Sequence, residues 1–181
     1  MNSIVLTGGT SKRFGSDKSQ AKIHGKTLLE YLSEGLENLI IVGPETSIPA
    51  KYVREEPIGA GPVAAIAAAM LEVDSDLVAI FATDMPFAPH ITSQLVSALK
   101  NDAAIAIDCD GKLQPLAGVY RSEKLKAALA TYESVENQSV RSLLSKLVID
   151  EVPVVETELL MDIDTQEDLL KAVDLASRLA P

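Results

Sequence analysis

The 181-residue sequence predicts a three-layer α/β fold, a mostly parallel sheet with helices on both faces. Short β-branched or aliphatic runs alternate with longer stretches of helical period, the pattern of βαβ units. The middle runs, such as Leu77-Val78-Ala79-Ile80-Phe81, are apolar without alternation, which implies strands covered on both faces. A hydrophobic content of 47% suffices for one full core, so a single domain over 1–181 is expected.

Strands are expected at 3–6, 38–42, 77–81, 103–108 and 147–152, each a run of aliphatic side chains. Pro62 opens a helix that places Val63, Ile66, Met70 and Leu71 on one face. Pro89 precedes a second, with Ile91, Leu95 and Leu99 sharing a face, and both read as crossover helices. Gly111, Pro115 and Gly118 interrupt this rhythm, and an antiparallel strand is expected near 114–120. Thr165, followed three residues later by Asp168, starts a last helix whose Leu169, Val173 and Ala176 face the sheet.

Composition excludes several function classes. Sixteen Lys and Arg against twenty-six Asp and Glu give a net charge of −10, a field that repels polyanions and argues against nucleic-acid or anionic-membrane partners. One cysteine, Cys109, and two histidines, His24 and His90, exclude a disulfide framework and a cysteine- or histidine-rich metal centre. The two histidines read as structural or solvated and Cys109 as an inert buried thiol. No apolar run approaches membrane-spanning length and no leader pattern is seen, so the protein is expected to be cytoplasmic.

Against the acidic whole, residues 1–26 carry a net +4, with Lys12, Arg13, Lys18, Lys22 and Lys26 set against Asp17 alone. The cluster adjoins Leu6-Thr7-Gly8-Gly9-Thr10-Ser11-Lys12-Arg13-Phe14-Gly15-Ser16-Asp17-Lys18, directly after the first strand. Strand, glycines, then cations is a phosphate-binding order. Glycines allow close approach of backbone N–H groups to phosphate oxygens, and Arg13 and Lys18 add full charges. The spacing fits neither the Walker loop nor the dinucleotide fingerprint. Asp84 follows the buried run 77–81, so it projects from the carboxyl end of a parallel strand, the edge where open α/β sheets bind ligands. A carboxylate facing a basic phosphate loop suits Mg2+, which takes one or two carboxylates and otherwise uses water and substrate phosphates. A turn before Pro86 would be a purely structural role for Asp84. Asp162 and Asp164 are two apart and share a direction on an extended segment, where they supply a second carboxylate or hold an acceptor, unless Asp164 only helps cap the last helix.

The full spacing Leu-x-Gly-Gly-x-Ser-x-Arg-Phe-Gly-x-Asp-Lys resembles the signature loop of the molybdenum cofactor guanylyltransferases, within the wider nucleotidyltransferase superfamily. Further resemblances follow in order at Gly59-Ala60-Gly61-Pro62, Thr83-Asp84-Met85-Pro86-Phe87, Gln114-Pro115-Leu116 and Met161-Asp162-Ile163-Asp164-Thr165, spanning most of the chain. The resemblance implies a Rossmann-like sheet of the nucleotide-diphospho-sugar transferase type. It also implies transfer of GMP from magnesium-bound GTP to the terminal phosphate of molybdopterin, with release of pyrophosphate. By the same comparison Leu6, Thr7 and Gly8 contact the nucleotide, Lys18 the phosphates and Asp84 the magnesium, and the loop chemistry adds Gly9 and Arg13 to the same site. An acidic nucleotide contact falls on Glu55 or Glu56, and the acceptor side falls on Gln114, Asp162 and Asp164, with Arg121 bordering the same segment. Gly43 falls near another nucleotide contact, where it offers only backbone. Transient contact with other cofactor-biosynthesis or acceptor proteins is a further implication. The chain departs from the resemblance at Val63-Ala64-Ala65, where Leu-Ala-Gly is usual.

A phosphate monoester acceptor needs no histidine base, because its second pKa of about 6 leaves it largely ionised at neutral pH. Catalysis then consists of positioning and charge stabilisation around an in-line displacement. Two other readings share these residues: a nucleotidyltransferase using CTP or another nucleotide on a different phosphorylated acceptor, and a non-catalytic nucleotide-binding regulator. Thr7-Gly8-Gly9 with Asp17-Lys18 favours GTP over the first. Joint presence of Arg13, Lys18 and Asp84 argues against the second.

Overall fold

The computed structural model describes residues 1–8 and 21–180. In chain order the elements are β1 (Asn2–Leu6), the hairpin β2 (Lys22–Ile23) and β3 (Lys26–Thr27), α1 (Leu28–Ser33), β4 (Leu39–Val42), β5 (Lys51–Val53), α2 (Pro62–Met70) and β6 (Leu77–Ala82). There follow a 3-10 turn (Ala88–Ile91), α3 (Thr92–Ala98), β7 (Ala103–Ile107), β8 (Leu113–Arg121), α4 (Ser122–Leu129), α5 (Val140–Leu144), β9 (Ile149–Pro153), a second 3-10 turn (Thr157–Leu160) and α6 (Gln166–Leu179). Seven strands form one sheet in the order β5-β4-β1-β6-β8-β7-β9. Only β8 runs against its neighbours β6 and β7; every other pairing in this sheet is parallel.

Period-two alternation divides each central strand between two cores. Val5, Ile41, Phe81, Ala104 and Val119 pack on one face with Leu28 and Leu32 of α1, Leu95 of α3 and Leu175 of α6. Ile4, Leu6, Ile40, Ile80 and Ile105 pack on the other with Val63 and Ile66 of α2, Leu125 of α4 and Leu143 of α5. Both faces are therefore dry, which is why β6 reads as an unbroken apolar run. Phe81 and Ile80 are fully buried, each worth roughly 1.5–3 kcal/mol in transfer free energy.

Differences from the sequence expectations have local causes. Leu71 is exposed rather than on the buried face of α2, because it is the C-cap residue, one position past the last helical turn. On α6 the sheet-facing stripe is Ala172, Leu175 and Ala176, with Val173 only half-buried. Its start is as expected: the Thr165 hydroxyl accepts from Asp168 N–H at 3.1 Å and the Asp168 carboxylate accepts from Thr165 N–H at 2.9 Å, a capping box. Hydrogen bonding from the Thr165 hydroxyl, then from the Asp164 and Thr165 amides, holds the Asp168 carboxyl below its ordinary range. Cys109 is exposed in the turn between β7 and β8 rather than buried. Asn38 lies outside β4, at φ 48° just before it. The edge strand β5 and the β2–β3 hairpin, turned by His24 and Gly25 at φ 49° and 83°, have no counterpart in the sequence reading.

The expected antiparallel strand near 114–120 is β8, and its irregularity has a purpose. Ile105 pairs with Gly118 while Ala106 pairs with Gln114, so Pro115, Leu116 and Ala117 bulge out of the β7 pairing. The buried Tyr120 ring lies over Gly118, where an added Cβ would come within 3.0 Å of it, and its hydroxyl donates to Pro115 carbonyl oxygen at 2.6 Å. Burial pushes the Tyr120 hydroxyl well up, so it stays a donor and holds the bulge in place.

Candidate active site

A cleft of about 670 Å³ runs along the carboxyl ends of the parallel strands. It is lined in sheet order by Arg54 and Glu55 after β5, Val42, Gly43 and Pro44 at β4, Leu6, Thr7 and Gly8 at β1, and Ala82, Asp84 and Met85 at β6. Gln114, Pro115 and Leu116 of the β8 bulge, with Asp162, close the far end. Open α/β sheets bind ligands along this edge.

Two threonines fix the strand ends that form its floor. Thr7 donates to Val42 carbonyl oxygen from both its amide (3.1 Å) and its hydroxyl (2.8 Å). Thr83 does the same to Leu6 carbonyl oxygen, at 3.1 and 3.0 Å. Gly43 donates to Val53 carbonyl oxygen at 3.0 Å, and a Cβ there would lie 1.8 Å from Thr7 Oγ1. Overpacking of this kind costs about 1–3 kcal/mol. Gly43→Ala is therefore expected to lower Tm by several degrees and to weaken ligand binding in the cleft roughly tenfold. Calorimetry on the purified variant checks both, and unchanged values would show that Thr7 can swing aside without cost.

Asp84 sits half-buried on a braced turn. Met85 N–H donates to Ala82 oxygen at 3.0 Å, Ala88 N–H to Met85 oxygen at 3.1 Å, and the side chains of Met85, Phe87 and Ala88 are buried. Ile163 N–H donates to Asp84 carbonyl oxygen at 2.8 Å, which ties the Asp162 segment to the same turn. Buried Ile163 separates exposed Asp162, which lines the cleft, from Asp164, which does not. The Asp164 amide instead donates to the Asp168 carboxylate at 3.2 Å, beside the α6 cap.

The loop before α2 is held from two sides. Glu55 Oε1 accepts from Gly59 N–H at 2.9 Å, and Asn137 N–H donates to Ala60 oxygen at 2.7 Å. Gly61, at φ 95°, is the N-cap of α2 and makes no side-chain cap, so the helix opens on the cleft with first-turn amides available to ligand oxygens. Ala65, where the resembled loop has glycine, adds a methyl to the cleft wall. Of the two acids left open by the sequence, Glu55 lines the cleft and Glu56 does not.

At the β8 end Gln114 donates from Nε2 to Asp108 Oδ2 at 2.9 Å. Backbone bonding from Lys112, followed by Gln114 and the Asp110 amide, holds the Asp108 carboxyl below its usual range, so this anchor stays ionised. Arg121 faces away, donating from Nε to Asn101 carbonyl oxygen at 2.8 Å, and neither histidine lines the cleft. Gly9, Arg13 and Lys18 lie outside the described residues. Arg54 escaped the sequence reading because β5 did, although it is a lone cation following Lys51-Tyr52-Val53.

Among the described residues no cluster of three or more His, Cys, Asp or Glu is arranged to hold a metal, and no helix is long and apolar enough to cross a membrane. Among the described residues the cleft-lining carboxylates are Glu55, Asp84 and Asp162, and Asp84 with Asp162 fits a hard cation completed by substrate phosphates.

Residues 3–152 match the family model described as MobA-like NTP transferase domain. A probable molybdenum cofactor guanylyltransferase from a Geobacillus strain is 29% identical over 153 residues, 76% of this chain and 78% of the relative. One of the same description from Synechococcus elongatus is 29% identical over 184 residues, 91% of this chain and 94% of the relative. Among solved structures, molybdopterin-guanine dinucleotide biosynthesis protein A from Archaeoglobus fulgidus superposes with a TM-score of 0.77 at 24% identity, covering 99% of this chain and 100% of that one. A 2-C-methyl-D-erythritol 4-phosphate cytidylyltransferase from Thermus thermophilus gives 0.63 at 17% identity, covering 96% and 98%. The fold is the Rossmann-like fold of nucleotidyltransferases, as expected.

Proposed function

The chain belongs to the family of MobA-like NTP transferase domains and is a nucleotidyltransferase, and from that premise we propose that it transfers GMP from GTP to the terminal phosphate of molybdopterin. The observation that carries this reading is the continuity of the cleft, from Glu55 and Gly43 at one end, past Thr7, Gly8 and Asp84, to Gln114 and Asp162 at the other. Such a cleft has room for a nucleotide and an acceptor on the two sides of one phosphate-handling centre. The Geobacillus and Synechococcus relatives, both described as probable molybdenum cofactor guanylyltransferases, support the same substrates.

In this reading the apolar walls from Val42, Pro44 and Ile58 receive the base, and Leu6, Thr7, Gly8 and Glu55 the nucleoside. The α2 amides, with Gly9, Arg13 and Lys18 of the glycine loop, receive the triphosphate. Asp84 and Asp162 would hold Mg2+, which when bound neutralises phosphate charge. Gln114 and Asp162 orient the acceptor, whose phosphate oxygen attacks the α-phosphorus in line. The bond to the β-phosphate breaks, pyrophosphate leaves, and no general base is required because the attacking monoester is already ionised. Arg13 and Lys18 stabilise charge developing on the departing oxygens.

Calorimetric titration with GTP, ATP, CTP and UTP in magnesium buffer tests the choice of base. Tightest binding is expected for GTP, because a pocket that hydrogen-bonds one base leaves buried polar groups unpaired against another. Tighter CTP binding would move the protein to a cytidylyl reaction on a different acceptor.

A further inference from the structure

We propose that Arg54 reads the Hoogsteen edge of the base and is the residue that separates GTP from ATP. This rests on the guanylyl reading above and adds to it a determinant that the sequence motifs do not contain.

Arg54 lines the cleft directly after β5, the edge strand two places from β1. Its side chain is exposed and has no carboxylate partner among the described residues, whereas Lys51 on the same strand is paired with Glu72. An exposed cation beside a ligand cleft, without a carboxylate partner among the described residues, is placed to meet the ligand. Its place along the cleft decides which part of the ligand it meets. In the guanylyl reading the metal and phosphates sit at Asp84 after β6, while Arg54 lies across β4 and β1 from it, about 14 Å away at the usual strand spacing. Between the two lie Gly43, whose lack of a side chain keeps the floor flat, and the apolar Val42, Pro44 and Ile58. That is the span of a ribose and the slot for a planar ring, so the guanidinium meets the base rather than the triphosphate.

The chemistry of the guanidinium then selects the base. Arginine has five N–H donors in a planar fork and no acceptor. Guanine offers two adjacent acceptors, N7 and O6, while adenine pairs its N7 acceptor with an N6 amino donor that opposes the fork. Pyrimidines have no such edge. A bidentate contact of this kind discriminates by roughly 5- to 150-fold. Glu55, on the next residue, keeps Oε1 committed to Gly59 and so holds the loop that carries both side chains.

The test is a cycle of three proteins and three ligands, read as equilibrium binding in magnesium buffer. Wild type, Arg54→Ala and Arg54→Lys are each titrated with GTP, 7-deaza-GTP and ATP, and Tm is measured for all three. Wild type should bind 7-deaza-GTP about tenfold more weakly than GTP, since one acceptor is gone. Arg54→Ala should lose at least tenfold for GTP, little for ATP, and all discrimination between GTP and 7-deaza-GTP. Arg54→Lys keeps the charge without the fork and should resemble Arg54→Ala in selectivity. If wild type prefers GTP and both variants retain that preference, or lose affinity for GTP and ATP equally, the role of Arg54 is overturned while the guanylyl reading stands. If wild type binds GTP and ATP alike, the guanylyl reading fails and the role of Arg54 with it.

Discussion

Asp84→Asn is expected to reduce magnesium-dependent guanylyl transfer by about 10³-fold or more while leaving the protein folded. Metal stabilisation of phosphoryl charge is worth several kcal/mol, and each 1.36 kcal/mol is about tenfold in rate. The sign of the binding effect makes the prediction specific. Asp84 repels a triphosphate when no cation intervenes and attracts it through one, so metal-free GTP binding should be unchanged or slightly tighter in the variant. The turn itself rests on backbone bonds from Met85, Ala88 and Ile163 and on the buried Met85 and Phe87, none of which involves the carboxylate. Tm should therefore fall far less than turnover. A structural Asp84 would give the opposite pattern, a lowered Tm with turnover preserved in the folded fraction. Measuring GTP affinity with and without magnesium, Tm and turnover on the one variant separates the two.

Lys18→Ala should cost on the order of 10²–10³ in turnover, the usual consequence of losing one donor that stabilises developing charge. Its Tm should change little, because long charged side chains seldom anchor a core. Lys12→Ala, in the same basic cluster without a matching place in the loop spacing, serves as the comparison and should lose only a few-fold. Steady-state pyrophosphate release by both variants is the measurement. Equally mild losses would make the cluster a solvated charged surface and remove the phosphate role of Lys18.

How far these roles were legible in the sequence depended on the physics of each segment. Strands β1, β4, β6 and β7 were legible because both their faces are buried, and continuous aliphatic runs have few other uses in a chain of this size. The three-residue edge strand β5 is partly exposed and carries Lys51 and Tyr52, so no apolar signal marked it. With it went Arg54, whose meaning depends on where that strand ends. Gly111, Pro115 and Gly118 showed that the pattern broke, but the bulge that turns Gln114, Pro115 and Leu116 toward the cleft depends on Tyr120 reaching back to Pro115, a contact that no local spacing encodes. Thr7, Gly8, Asp84 and Gln114 come together in one cleft because each follows or interrupts a strand at the same sheet edge, and Asp162 joins them because Ile163 N–H is bonded to the Asp84 carbonyl oxygen. That Glu55 and not Glu56 lines the cleft needed the fold, since adjacent residues in an irregular loop carry equal sequence signal. Asp162 and Asp164 show the converse: a shared direction along an extended segment did not place both in the cleft, because Asp164 already lies beside the α6 cap with its amide on the Asp168 carboxylate.

The central claim is a single group transfer, from GTP to a phosphate monoester on molybdopterin. Pyrophosphate release by the purified protein, supplied in turn with GTP, ATP, CTP and UTP and with or without molybdopterin in magnesium buffer, tests it most directly. Release is expected with GTP only when molybdopterin is present, and little with the other nucleotides. Release with CTP in place of GTP, or none with any nucleotide while GTP still binds, would contradict it.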